Sequence, residues 1–300
     1  MALNVNETKL RRDAEWIELC EKRFSEQFFG IAEDICKRKL RIVRLYGPSC
    51  SGKTTAARLL IDMFESLGKK AHLVSIDDFY FDRDVLLEKS RAKGLKGVDY
   101  DSPDTIDTDA LHKFANEIFE ANEVHCPEFD FKSGVRCGYK TYTVGKDDIF
   151  IFEGIQACYP VVKQMLSDHG SASVFIAPMK NVNIGGVNFT PNRLRLLRRL
   201  VRDYHFRGSA PEFTFSLWKS VRDNEKKNIF PYSEESEYFV DSAMPYEVGV
   251  LKPFLKDVLS NVGEDSEYYE KSRRILESVE NVEEIPSDLI LDEYLYREFV

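Results

Sequence analysis

Three hundred residues with 43% hydrophobic and 31% charged side chains, and no low-complexity tract, describe a soluble folded chain. That length allows one large α/β domain with decorations or two smaller domains, and the decorated single domain is the expected form. Fifty-one acids against 42 Lys plus Arg give a net charge of −9, which argues against a nucleic-acid protein held by a broad basic field and leaves only local basic patches open.

The start, Met1-Ala-Leu-Asn-Val-Asn-Glu7, has no apolar signal-peptide core, and no run approaches the roughly 18 apolar residues of a membrane span. No membrane partner is expected. Cysteines at 20, 36, 50, 126, 137 and 158 form no C-x-x-C pair and read as reduced thiols, so the expected compartment is the cytoplasm. Without a signal peptide, the sequon at Asn188-Phe-Thr190 is read as accidental.

From about 8 to 38, Trp16, Ile17, Cys20, Phe24, Phe28, Ile31 and Ile35 recur at helical spacing, an amphipathic helical preface over 1–39. Strand-like runs follow at 40–46, 72–76, 149–152 and 173–177, separated by helix-length segments, and this alternation predicts a mostly parallel sheet flanked by helices. Between Gly134 and Gly145, Gly138 separates two short segments of strand-like composition, read as a β-hairpin flap. Thr190-Pro191 opens a long helix to about Phe206, in which Arg195, Arg198, Arg199 and Arg202 share about a third of the circumference opposite the leucines. The spacing predicts that it packs its leucines and presents its arginines. Helical spacing returns at 246–259 and 266–279, and an acidic tail from Glu280 completes a C-terminal helical extension over 246–300 beside a core of 40–245.

Gly47-Pro48-Ser49-Cys50-Ser51-Gly52-Lys53-Thr54 fits G-x-x-x-x-G-K-[ST], directly after a strand and at the opening of the helical run Ala56–Phe64. Such a loop turns backbone N–H groups inward, adds the positive end of a helix, neutralises phosphate with Lys53 and offers the Thr54 hydroxyl to Mg²⁺. It predicts a fold built on the nucleotide-binding P-loop, with Gly47, Ser49, Cys50, Ser51, Gly52, Lys53, Thr54 and Thr55 around the phosphates of a nucleotide. Cys50 is read as merely a small side chain.

Two further strands end in acids, Asp77-Asp78 and Glu153. In a doubly wound sheet, ligands bind beyond the carboxyl ends of the strands, so both acids should face the loop. One carboxylate would accept the proton of an attacking hydroxyl while the other helps hold Mg²⁺, which suits phosphoryl transfer. Arginines between 195 and 207 would stabilise charge on the transferring group, and Asp203 is spaced to orient Arg199 or Arg207.

With these residues in hand, the chain resembles the uridine kinase and phosphoribulokinase family of P-loop kinases from residue 40 to about 245. The marks of the resemblance are the loop, Ser75-Ile-Asp-Asp-Phe-Tyr80, Asp99-Tyr-Asp-Ser-Pro-Asp-Thr-Ile-Asp107, Pro127-Glu-Phe-Asp-Phe131, Phe152-Glu-Gly-Ile155 and Arg198-Arg-Leu-Val-Arg-Asp203 followed by Arg207-Gly208. Val201–Gly208 and Asn228-Ile-Phe-Pro231 are similar to a bacterial-type nucleoside kinase subgroup, whose members often carry an N-terminal TGS region that is missing here. The resemblance implies ATP-dependent phosphorylation of a hydroxyl on a small-molecule acceptor, the 5′-hydroxyl of a nucleoside in uridine kinases. It implies Asp77 as general base and places Asp77, Thr54 and Glu153 at the Mg²⁺ site. Arg199, Arg202 and Arg207 would surround the phosphates, and Asp101, Phe129 and Arg199 would line the acceptor; a homo-oligomer is compatible with this.

Where the family reads the pyrimidine, the resemblance leads one to expect a Tyr near Phe129, a His near Gly134 and an Arg near Ser209, and none is present. A purine nucleoside, a different sugar or a polyol would suit Asp101 and Asp77 equally well, because a carboxylate accepts two hydrogen bonds from a vicinal diol. A nucleotide-dependent switch is the competing class, against which stands the lack of an N-K-x-D guanine-reading motif. A degenerate kinase kept only for binding is disfavoured by intact Lys53, Thr54, Asp77 and Glu153.

Overall fold

The computed structural model describes residues 5–92, 94, 97, 98, 100 and 102–300. The N-terminal periodicity closes into one long helix, α1 (Val5–Lys37), which buries Ile17, Phe24, Phe28 and Ile35. Next come β1 (Ile42–Tyr46), buried along its whole length, the glycine loop, and α2 (Lys53–Ser66). β2 (Ala71–Ser75) runs straight into a single 3-10 turn, Ile76–Phe79, and is followed by α3 (Arg83–Ala92) and α4 (Thr108–Glu120). The antiparallel pair β3 (Glu123–Asp130) and β4 (Val135–Thr143) precedes β5 (Ile149–Glu153), α5 (Pro160–Met165) and β6 (Ser171–Ala177). A small hairpin, β7 (Val182–Ile184) and β8 (Val187–Phe189), leads into α6 (Pro191–Arg207), α7 (Pro211–Asn228), α8 (Phe230–Ser233) and β9 (Tyr238–Asp241). The chain closes through α9 (Glu247–Ser260) and α10 (Tyr269–Val279).

The main sheet is parallel throughout, in the order β2-β5-β1-β6-β9, with Val43 beside Ile151 and Leu45 beside Val174. Helices cover both faces, which is why β5 reads as an apolar run up to Glu153 and β1 as one broken only by Arg44, itself buried with its guanidinium on the Ala157 carbonyl. Val43, Leu45, Ile151, Val174 and Ile176 pack into one core with residues of α1, α2, α6 and α9. Ile42, Tyr46, Phe150, Phe152 and Phe175 form the other with residues of α4, α5 and the β3–β4 pair. The α/β architecture expected from the alternating runs is therefore present. β3, the β7–β8 hairpin and β9 had no counterpart in the strand reading, since both strand-like segments between Gly134 and Gly145 belong to β4.

The flap is real, but its turn lies earlier than Gly138. Asp130 closes the turn: its carboxylate accepts the N–H groups of Lys132 and Ser133 at 3.0 and 3.1 Å, and its carbonyl accepts the Gly134 N–H at 2.6 Å. Gly134 completes the turn at φ 76°. Gly138 instead lies within β4 opposite Glu128, where the register shifts by a bulge, a common place for glycine in a strand. The helical addition at the C-terminus also ends sooner than expected. Beyond α10 the chain forms only two short 3-10 turns, and its last residues fold back beside the glycine loop, with Leu295, Tyr296 and Phe299 fully buried.

Candidate active site

The glycine loop leaves the carboxyl end of β1, the central strand of the sheet. Gly47 approaches β6 so closely that a Cβ would fall 2.0 Å from the Ile176 carbonyl oxygen. Cys50 is buried and takes the left-handed conformation at φ 58°, so it shapes the turn as well as being small. Ser51 Oγ is buried with no hydrogen-bond partner among the described residues. Lys53 Nζ donates to the Pro48 carbonyl at 3.4 Å, Thr54 is exposed, and Thr55 is buried behind it.

The strand ends bring carboxylates to this loop. Asp77 lies in the 3-10 turn that follows β2 and accepts a hydrogen bond from Gln156 Nε2 at 2.8 Å. Burial raises its pKa, only partly opposed by hydrogen bonds from Tyr80 and Gln156 and by the charges of Lys53 and Arg207. Glu153 ends β5; burial pushes its carboxyl up to about 7, against the pull of Lys53 and with added repulsion from Asp77 and Glu298. Glu298 was missed in the sequence. Its carboxylate accepts the Thr55 N–H at 3.3 Å and the Thr55 hydroxyl at 3.2 Å, and burial raises its pKa against the Lys53 charge. Lys53 thus acts electrostatically on three carboxylates, one of them from the C-terminal tail.

The arginine face of α6 needs a correction. Arg195 and Arg198 are not presented; both are buried, because α7 and α9 cover that side of the helix with matching acids. Arg195 is held by both carboxylate oxygens of Glu225 and donates to the Ser49 carbonyl at 2.8 Å. Arg198 donates to Glu247 at 2.8 Å and to the Cys50 carbonyl at 3.2 Å. These two buried charges therefore fix the backbone of the glycine loop. Arg199 reaches Ser49 Oγ at 3.2 Å, and Asp203 gathers Arg199, Arg202 and Arg207 at 3.1, 2.7 and 3.7 Å. Arg207 is the most exposed of that trio.

Across from the loop stands the β3–β4 flap. Asp78 turns away from Asp77 and accepts the Phe129 N–H at 3.2 Å, and Arg136 donates to the Tyr80 and Phe79 carbonyls at 3.0 Å each, so the flap is tied to the Asp77 turn. Phe129 packs edge-on against Phe131 and Tyr80, with centroids 5.1 and 5.6 Å away, and Tyr80 stacks on Tyr100 at 5.9 Å. Asp101, expected to hold acceptor hydroxyls, lies outside the described residues. A side chain at position 134 would place its Cβ 2.5 Å from Arg83 Nε and 2.9 Å from Arg83 Cβ. Gly134→Ala is accordingly expected to lower the urea midpoint by the equivalent of about 1–3 kcal/mol, from the left-handed backbone and the displaced arginine together. An unchanged midpoint would show that the turn is not rigid.

A family model described as the phosphoribulokinase / uridine kinase family matches residues 42–247. A uridine kinase of Streptococcus thermophilus is 26% identical over 208 residues, covering 69% of this chain and 87% of the relative. A uridine kinase of Schizosaccharomyces pombe is 31% identical over 171 residues, 57% of this chain and 33% of that protein. The fold is also that of a solved protein from Silicibacter sp. TM1040, named for a fructose transport system kinase, at a TM-score of 0.52 and 17% identity over 71% of this chain and 98% of the other. Among the described residues no helix is long and apolar enough to cross a membrane. The family match runs from the first core strand to the start of α9, so the chain belongs to the phosphoribulokinase / uridine kinase family, P-loop kinases that transfer a phosphate from ATP to an alcohol.

Proposed function

We propose that this kinase phosphorylates a hydroxyl of a nucleoside or nucleoside-like alcohol, with Asp77 as the general base. The observation that carries the reading is the position of Asp77: it sits at the carboxyl end of β2, between the Lys53 charge and the aromatic flap, with Gln156 fixing one of its oxygens. The carboxylate, to which Tyr80 also hydrogen-bonds, would accept the acceptor's O–H. As that oxygen forms its bond to the γ-phosphorus and the bond to the ADP oxygen breaks, the proton passes to Asp77. A raised pKa makes Asp77 a better proton acceptor than an ordinary aspartate, provided it stays ionised beside Lys53. Lys53 and the loop N–H groups neutralise the phosphate chain, and Arg199, which reaches Ser49 Oγ, stabilises charge on the transferring group together with Arg202, which shares Asp203 with it.

The oxygen donors fit a magnesium ion. Thr54 is exposed at the start of α2, and the Glu153 and Asp77 carboxylates are both disfavoured as anions by burial, so a divalent cation would restore their charge. When bound there, Mg²⁺ would offset the negative charge of the phosphates. The six free thiols fit a reducing, cytoplasmic compartment.

A second reading, a sugar or polyol acceptor, is favoured by one observation: the Gly134 turn leaves no space for an imidazole without moving Arg83. Acceptor-dependent ADP formation with Mg-ATP against uridine, cytidine, adenosine, guanosine, pentoses and inositols separates the two. The expected result is turnover on at least one nucleoside, with kcat/KM at least about tenfold above every pentose and inositol. Turnover confined to a pentose or inositol would replace the nucleoside reading with the second one.

A further inference from the structure

The C-terminal tail lies beyond the 42–247 match, yet it is fastened at the phosphate loop by several unrelated contacts. Both oxygens of Glu21 in α1 accept the Leu295 N–H, at 3.3 and 3.2 Å. The Leu295 side chain packs on Gly52 so tightly that a Cβ there would fall 2.4 Å from Leu295 Cδ1. The Tyr296 hydroxyl donates to Glu247, the same carboxylate that holds Arg198. These anchors aim Glu298 at the first turn of α2, where its carboxylate takes the Thr55 N–H and hydroxyl.

A helix N-terminus offers only a few unpaired N–H groups, and in this loop those are the groups that bind phosphate. We infer that Glu298 is an internal competitor for the nucleotide: its carboxylate occupies the phosphate place on Thr55, and nucleotide binding exchanges it for a phosphate oxygen and loosens the tail. The inference rests on the reading of Gly47–Thr55 as the nucleotide phosphate site. Two anions cannot share these donors and the Lys53 charge without repulsion, and Lys53 already acts on Glu298 as well as on Asp77 and Glu153. The exchange involves few residues. Leu295 and Tyr296 are fully buried and can stay, while the stretch released past Tyr296 holds the exposed Arg297, the partly buried Glu298 and the fully buried Phe299, whose packing opposes the release.

Competition of this kind multiplies the apparent affinity by the fraction of molecules in which the carboxylate is off Thr55, so the apparent Kd rises as that fraction falls. Glu298→Gln keeps the shape and removes the anion. Equilibrium titration with Mg-ADP, without any acceptor, is expected to give a Kd at least about fivefold lower for Glu298→Gln than for the wild type. In the wild type, Mg-ADP is expected to speed amide exchange at Phe299 and Val300, whose N–H groups bond to the Tyr296 carbonyl at 2.9 and 3.2 Å in the fastened tail. Equal or weaker ADP binding by Glu298→Gln overturns the inference and leaves Glu298 as a fixed cap on α2. So does tighter binding with no faster exchange at the tail, since the charge would then act without displacement. If neither protein binds Mg-ADP, the phosphate-site reading itself fails, and the competition falls with it.

Discussion

Asp77→Asn is expected to lower kcat by about 10²–10⁴-fold while the affinity for Mg-ADP stays near that of the wild type. The asparagine keeps the size of the side chain and can still pair with Gln156, but it cannot take the acceptor's proton. A loss confined to kcat marks a group needed in the transition state, whereas a loss spread into nucleotide affinity would mean that Asp77 mainly organises the loop. Asp78→Asn is the internal control. Its neighbour carries the same charge, but its carboxylate is spent on the Phe129 N–H, a bond that an asparagine oxygen can also accept, so its effect on kcat should be small. Equal losses from the two substitutions, or full activity in Asp77→Asn, would remove Asp77 from the role of base. The comparison is read best with the acceptor that the substrate panel ranks first.

Residues whose roles depend on near neighbours in the chain were the legible ones. The loop Gly47–Thr54 carries its own backbone geometry, and β1 and β5 are visible because strands covered on both faces become largely apolar runs, interrupted in β1 only by Arg44. The turn at Asp130–Gly134 was also within reach, since an Asp with Ser and Gly three and four residues on is a turn signal; the choice of Gly138 favoured a glycine that serves as a bulge. Periodicity on α6 separated the arginines from the leucines but could not say what lies against each face. Arg195 and Arg198 are covered by acids 30 and 49 residues further on. Glu298 is hidden still more completely, 243 residues from Thr55. Its only local hint is the clustering of Tyr294, Leu295, Tyr296 and Phe299 at the end of an acidic tail, a composition that suggests burial and says nothing of where.

Glu247→Ala is expected to cost about 3–5 kcal/mol of stability, the range for removing one partner of a buried ion pair. Arg198 and Glu247 are both fully buried, and burial pulls the guanidinium toward neutrality while Glu247 holds it charged. Without the carboxylate, Arg198 keeps the Ser242 carbonyl at 2.7 Å and the Cys50 carbonyl at 3.2 Å, but neither supplies a negative charge. The Tyr296 hydroxyl loses its acceptor at the same time, and Met244 loses a side-chain partner for its N–H. Urea unfolding followed by fluorescence measures the change, and Glu247→Gln, which keeps both acceptor geometries in part, should lose less. The same pair joins the loop to α9 and to the tail, so stability and nucleotide binding should not move alone: the alanine variant should also bind Mg-ADP more weakly once Arg198 no longer fixes the Cys50 carbonyl. A stability change below about 1 kcal/mol would mean that the guanidinium finds water or another partner on losing Glu247. The loop would then owe its shape to Arg195 and Glu225, which hold the Ser49 carbonyl one residue earlier.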